Sequence, residues 1–181
     1  LKVKKLMISS GYELYAPIKI DDSFYMKLEP EYKFLSRDTG AIVEIKWKFE
    51  GNFFSLPDNS EYLFNDKEEL NLNSFEVNTF SFVNQFLILC IHAAKHDWNS
   101  LSWVCDITEL LRNQENIDWH EILNKSEKLS IRRILFINLL LAKDLFILDI
   151  PESVLSQIDN DQYVMRISNE IKERLFLEDK S

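Results

Sequence analysis

The feature that most constrains this chain is a change of period along it. Between Tyr12 and Phe49 apolar residues tend to alternate with polar ones, the spacing of strands with one buried face. From Ser81 to Leu148 they recur every three or four positions, the spacing of amphipathic helices. With three glycines and four prolines in 181 residues, the chain has little material for long irregular loops. The expected class is α+β: a small mixed or antiparallel sheet with a helix over residues 1–73, then an all-α bundle over residues 74–181.

In the first part, Leu1–Ser9 reads as the end of an amphipathic helix with Val3, Leu6 and Met7 as its stripe, stopped at Gly11. Strands are expected over Tyr12–Ile18, Phe24–Leu28, Tyr32–Ser36 and Ile42–Phe49. Gly51–Pro57 leads out of the sheet, and the Asn- and Asp-rich segment Asp58–Ser74 reads as a linker. In the second part, Ser81 caps a helix running to about Trp98, and Asn99 or Ser100 caps another to about Arg112. Asp118 starts a third through Lys128. Ile131–Leu148 is the most apolar and reads as the central helix of a bundle, with Pro151 marking the turn after it, and Gln162–Phe176 forms the last.

A net charge of −9 argues against a general grip on nucleic-acid backbone, which needs clustered Lys and Arg. Cys90 and Cys105 both lie in apolar helical patterns, so they read as buried reduced thiols, and catalysis by either is disfavoured. The chain shows no apolar signal core and no stretch long enough to span a bilayer, which suggests a cytoplasmic protein without a membrane partner. It starts at Leu1, inside what already reads as a helix, which suggests the later part of a longer polypeptide.

Two places concentrate chemistry. In Ala41–Trp47 alternation puts Ile42, Glu44 and Lys46 on one face and Val43, Ile45 and Trp47 on the other. A mid-strand glutamate is disfavoured, so the Glu44 face is wet, ion-paired or built to hold a metal. On the helix starting at Ser81, Val83, Phe86, Leu87, Cys90, Ile91, Ala94 and Trp98 form the core side. Gln85, His92, Lys95, His96 and Asn99 gather opposite, either as a solvated surface or as a binding face. On the next helix Asp106 shares a face with Trp103 and Leu110, and a carboxylate placed among large apolar side chains wants a partner, for which Lys95 or His96 is the natural candidate. His92 and His96 have the i,i+4 spacing of metal ligands, but the first lacks the following glutamate of zinc hydrolases.

The segments Leu6–Tyr12, Ile42–Trp47, Leu87–Trp98 and Leu101–Ile107, with the Asp118-Trp119 and Ile150-Pro151 pairs, resemble the bacterial uncharacterised nucleotidyltransferase family. The His-x-x-Lys-His helix followed closely by a Trp-x-x-Asp helix is the most specific part of that resemblance. It implies a DNA-polymerase-β-like enzyme that moves a nucleoside monophosphate from an NTP to an acceptor and releases pyrophosphate. Such enzymes hold Mg²⁺ on three carboxylates, and Glu44 matches the third, as metal ligand and catalytic residue. His92, Lys95, His96 and Asp106 would serve substrate or phosphate. The Gly-Ser turn with an Asp-x-Asp strand is missing, since Asp21-Asp22 and Glu29 with Glu31 sit in loop-like contexts. The chain is therefore expected to be the C-terminal portion of an enzyme, inactive alone, or a degenerate relative serving as a non-catalytic ligand- or protein-binding module.

Overall fold

The computed structural model describes residues 2–15, 21–47, 63 and 66–177. Among them are eight helices and two small antiparallel sheets, so the class is α+β. The chain divides into two compact units, residues 1–55 and 56–181.

The first unit begins with helix α1 (Lys2–Ser9), which Gly11 follows in the left-handed region at φ 86°. Val3 and Met7 of its expected stripe are half-buried, but Leu6 is exposed. Strands β1 (Tyr12–Leu14), β2 (Glu31–Ser36) and β3 (Ile42–Lys46) form a sheet in that order. The β2–β3 pairing matches Phe34 with Val43 and Tyr32 with Ile45, closing through a loop in which Gly40 takes φ 70°. Strands β1 and β3 stop before Tyr15 and Trp47, which were expected to continue them; the rest of the expected extensions, to Ile18 and Phe49, and the lead-out over Gly51–Pro57 lie outside the described residues.

The expected strand over Phe24–Leu28 is instead helix α2 (Asp22–Leu28). Asp21 caps it, its carboxylate accepting from the N–H groups of Ser23 at 2.9 Å and Phe24 at 3.4 Å. The unit packs around Tyr32, which is 1% exposed. Tyr25 stacks on it at 5.0 Å, Trp47 meets it edge-on at 4.9 Å, and its hydroxyl donates to Asp22 at 2.9 Å. Burial, then the Asp22 carboxylate, push the Tyr32 phenol up to about 12.

The second unit opens with a hairpin, β4 (Lys67–Leu72) and β5 (Phe75–Phe80), where a linker was expected. Asn73 and Ser74 both have positive φ, as a two-residue hairpin turn with native strand twist requires. The Asp58–Asn65 stretch of that linker, apart from Leu63, lies outside the described residues.

Six helices follow: α3 (Phe82–Lys95), α4 (Leu101–Arg112), α5 (Trp119–Lys128), α6 (Arg132–Phe146), α7 (Glu152–Ile158) and α8 (Gln162–Phe176). Helix α6 is buried continuously from Leu135 to Ala142 and packs on α3, α4, α5 and α8, as expected for a helix apolar all round. Inside it Asn138 is fully buried and satisfied: it accepts from Trp98 Nε1 at 2.8 Å and donates to the carbonyls of Ile134 and Cys90. Helix α7 was not anticipated, since its seven residues bury only Val154 and Ile158. No helix among the described residues is long and apolar enough to cross a membrane.

Candidate functional site

In the first unit the charged face of the hairpin is a network of ion pairs. Register sets Lys33 opposite Glu44 and Glu31 opposite Lys46, so four alternating charges share the face that β3 turns away from Tyr32. Lys33 Nζ lies 2.8 Å from Glu44 and 3.1 Å from Glu31; Lys46 Nζ lies 2.9 Å from Glu31 and 3.6 Å from Glu44. Of the three settings open to Glu44, ion pairing is the one observed.

The Lys33 hydrogen bond, with the charges of both lysines, holds the Glu44 carboxyl below the ordinary range despite burial and the nearby Glu31. Glu31 is the more buried acid. Burial would raise its carboxyl, but Lys46 and Lys33 outweigh that and hold it low as well. The same pairing raises Lys33. Glu31 read as a loop residue in the sequence, whereas it opens β2. The signal that could have found it is the repeated Glu-x-Lys on both strands, which an antiparallel register brings into opposition.

As ligands for Mg²⁺ these carboxylates meet one requirement and fail another. Their oxygens are the right kind of donor for a hard cation, but two ammonium groups already lie against them, and Mg²⁺ asks for octahedral oxygen ligation. Among the described residues no group of three or more His, Cys, Asp or Glu could hold a metal. The described residues by themselves therefore do not fit a Mg²⁺ centre.

In the second unit α3 and α4 bring three rings together. His92 and His96 meet edge-on at 4.6 Å, His92 meets Trp103 edge-on at 4.7 Å, and His96 stacks on Trp103 at 5.4 Å. Trp103 Nε1 donates to Asn99 at 3.3 Å. All three rings are half-buried, as is Lys95. The expected core side of α3 is largely as read, with Val83, Phe86, Leu87, Cys90, Ile91 and Trp98 buried; Ala93 is buried as well, while Ala94 is half-buried. Asp106 is exposed, so the burial argument that required a partner for it does not hold. Of the cysteines, Cys90 is fully buried and burial pushes its thiol up, but Cys105 is only half-buried.

Sequence reasoning also missed an internal clasp in this unit. Lys125 of α5 reaches Glu121 at 2.8 Å, Asp66 at 3.0 Å and the side-chain oxygen of fully buried Asn84 at 3.0 Å, and Asn84 donates to the Leu63 carbonyl. Burial would lower the Lys125 ammonium, but Glu121 and Asp66 outweigh it, and the net shift is upward.

A family described as uncharacterised nucleotidyltransferase matches residues 1–147, and the chain belongs to it. The matched span includes both the Glu44 strand and the α3–α4 pair, while α7 and α8 lie beyond it. No curated protein and no solved structure matches the chain.

Proposed function

We propose that this chain is part of a nucleotidyltransferase that moves a nucleoside monophosphate from an NTP to an acceptor, with Mg²⁺ bound in the complete enzyme. The observation that carries the reading is the family match, which spans every residue singled out for chemistry. Glu44 is the carboxylate this chain contributes to the metal, joined by others that the described residues do not supply. Its place on a half-open face leaves it reachable, and its ion pairs with Lys33 at 2.8 Å and Lys46 at 3.6 Å are half-exposed, the setting in which an ammonium exchanges for another cation. On the helical unit, Lys95 brings positive charge and His92 and His96 bring hydrogen-bonding groups to the NTP phosphates. The Trp103 ring holds both imidazoles in place. The partners of the proposed enzyme are the NTP and the acceptor, in the bacterial cytoplasm.

A second reading has an observation of its own. Lys33 and Lys46 neutralise Glu31 and Glu44 within the chain, as in a degenerate relative that binds a ligand or protein without turnover. An NTP-transfer assay separates the two. With α-³²P-labelled NTPs and Mg²⁺, the full-length protein yields labelled acceptor under the first reading and none under the second. These 181 residues alone are expected to give no product, and robust transfer by them would refute that part of the proposal.

A further inference from the structure

A groove of about 740 Å³ opens where α5 ends, α6 begins and α7 turns into α8. Arg132 and Arg133, adjacent on the first turn of α6, both line it. So do Gln157, Asp161 and Tyr163, which come from beyond the family-matched residues.

The two guanidinium groups are held in the same manner, each by an aromatic ring and by side-chain oxygens. Arg132 lies over the Phe136 ring at 5.4 Å and donates to Glu127 at 2.7 Å and Gln157 at 2.5 Å. Arg133 lies over Tyr163 at 5.1 Å and donates Nε to Asp161 Oδ2 at 2.7 Å. Asp161 is itself fixed, because its other oxygen accepts from the N–H groups of Tyr163 and Val164 as the cap of α8. The Arg133 hydrogen bond and the α8 cap hold the Asp161 carboxyl below its ordinary range.

Arg133 is thus anchored at its plane and its Nε edge, and no hydrogen bond among the described residues engages its Nη atoms. Glu127 is 64% exposed, so its hold on Arg132 is the weak, exchangeable kind. A planar fork with one edge anchored and the other open suits two oxygens of a phosphate, and the volume suits a ligand of nucleotide size.

We propose that this groove binds a phosphate-bearing small molecule, whose phosphate takes the open edge of Arg133 and displaces Glu127 from Arg132. The site is separate from the face of His92, Lys95 and His96, and the proposal does not depend on transfer activity.

The test is a site-resolved NMR titration of the ¹⁵N-labelled full chain with inorganic pyrophosphate and, separately, with AMP. Saturable shifts are expected at the amides of Arg132, Arg133, Tyr163 and Val164. Arg133→Gln should weaken the response by about tenfold or more, the scale of one lost bidentate contact. Arg133→Lys, which keeps charge and fold but loses the fork, should recover only part of it. Silence at those amides with both probes, or undiminished affinity in the Arg132→Gln/Arg133→Gln double variant, would overturn the proposal.

Discussion

Lys125 in the second unit and the Lys33–Lys46 pair in the first meet the same kind of partner, two carboxylates each, in different settings. Lys125 has a side chain 17% exposed and takes a buried amide oxygen as a third ligand, so it ties α5 to the start of α3 and to residue 66. Lys33 and Lys46 are 44% and 34% exposed and tie the two strands of one hairpin to each other, on its open face. The first arrangement cannot be exchanged without opening a packed region. The second can trade an ammonium for another cation at small cost to folding. This difference makes Lys125 a structural residue and the Glu44 face a candidate for chemistry, although both are clusters of one lysine type with acids.

The comparison breaks first at Lys125. Lys125→Met is expected to cost about 1–3 kcal/mol, because it strands the oxygen of buried Asn84. Urea denaturation reads this directly, and a midpoint like wild type would remove the distinction drawn here. A smaller effect, about 1 kcal/mol or less, is expected for Lys33→Met, since Lys33 is 44% exposed and Lys46 still pairs the buried Glu31.

Acid sharpens the same contrast. Glu31 and Glu44 sit below their ordinary value of 4.5, so the folded first unit binds fewer protons than the unfolded chain at low pH. The stability they contribute is in place above about pH 4.5 and is lost as pH falls through their lowered values. Glu31→Gln should flatten the acid slope of unfolding monitored at Trp47. An unchanged slope would mean that the network does not persist in solution. The smallest effect is expected at Asp106: being exposed, Asp106→Ala should move the midpoint by no more than about 0.5 kcal/mol.

Legibility in the sequence followed the strength of the local signal. The two faces of β3 came out as alternation dictates, and α8 has the bounds that its periodicity predicts. Helix α4 begins after a Ser100 cap that accepts from Ser102 N–H, as its sequence suggests. Helix α2 was misread because Phe24, Met26 and Leu28 alternate, while its real determinant is the Asp21 cap; Phe24 and Leu28 are exposed, so their spacing reports no core. The β4–β5 hairpin escaped notice because its turn is Asn73-Ser74, without the glycine that usually marks such turns, and Leu70, Leu72, Phe75 and Val77 are exposed on it. Asp106 was expected to be buried from its helical neighbours alone, but Trp103 turns to the histidines of α3 and leaves it in solvent. The Lys125 clasp depends on residues 66, 84 and 125 meeting in space, which no periodicity encodes.

The central claim, that chemistry belongs to the Glu44 face and architecture to Lys125, is tested most directly by one paired measurement on the full-length protein. Label transfer from α-³²P-NTP and the urea midpoint are recorded side by side for Glu44→Gln and Lys125→Met. Glu44→Gln should lose about 100-fold in turnover with its midpoint nearly unchanged, because under the proposed role the lost charge would act on the Mg²⁺ of the complete enzyme and not on the core. Lys125→Met should lose stability while its folded fraction keeps turning over. Normal turnover by Glu44→Gln, or a collapse of stability in that variant, would contradict the account.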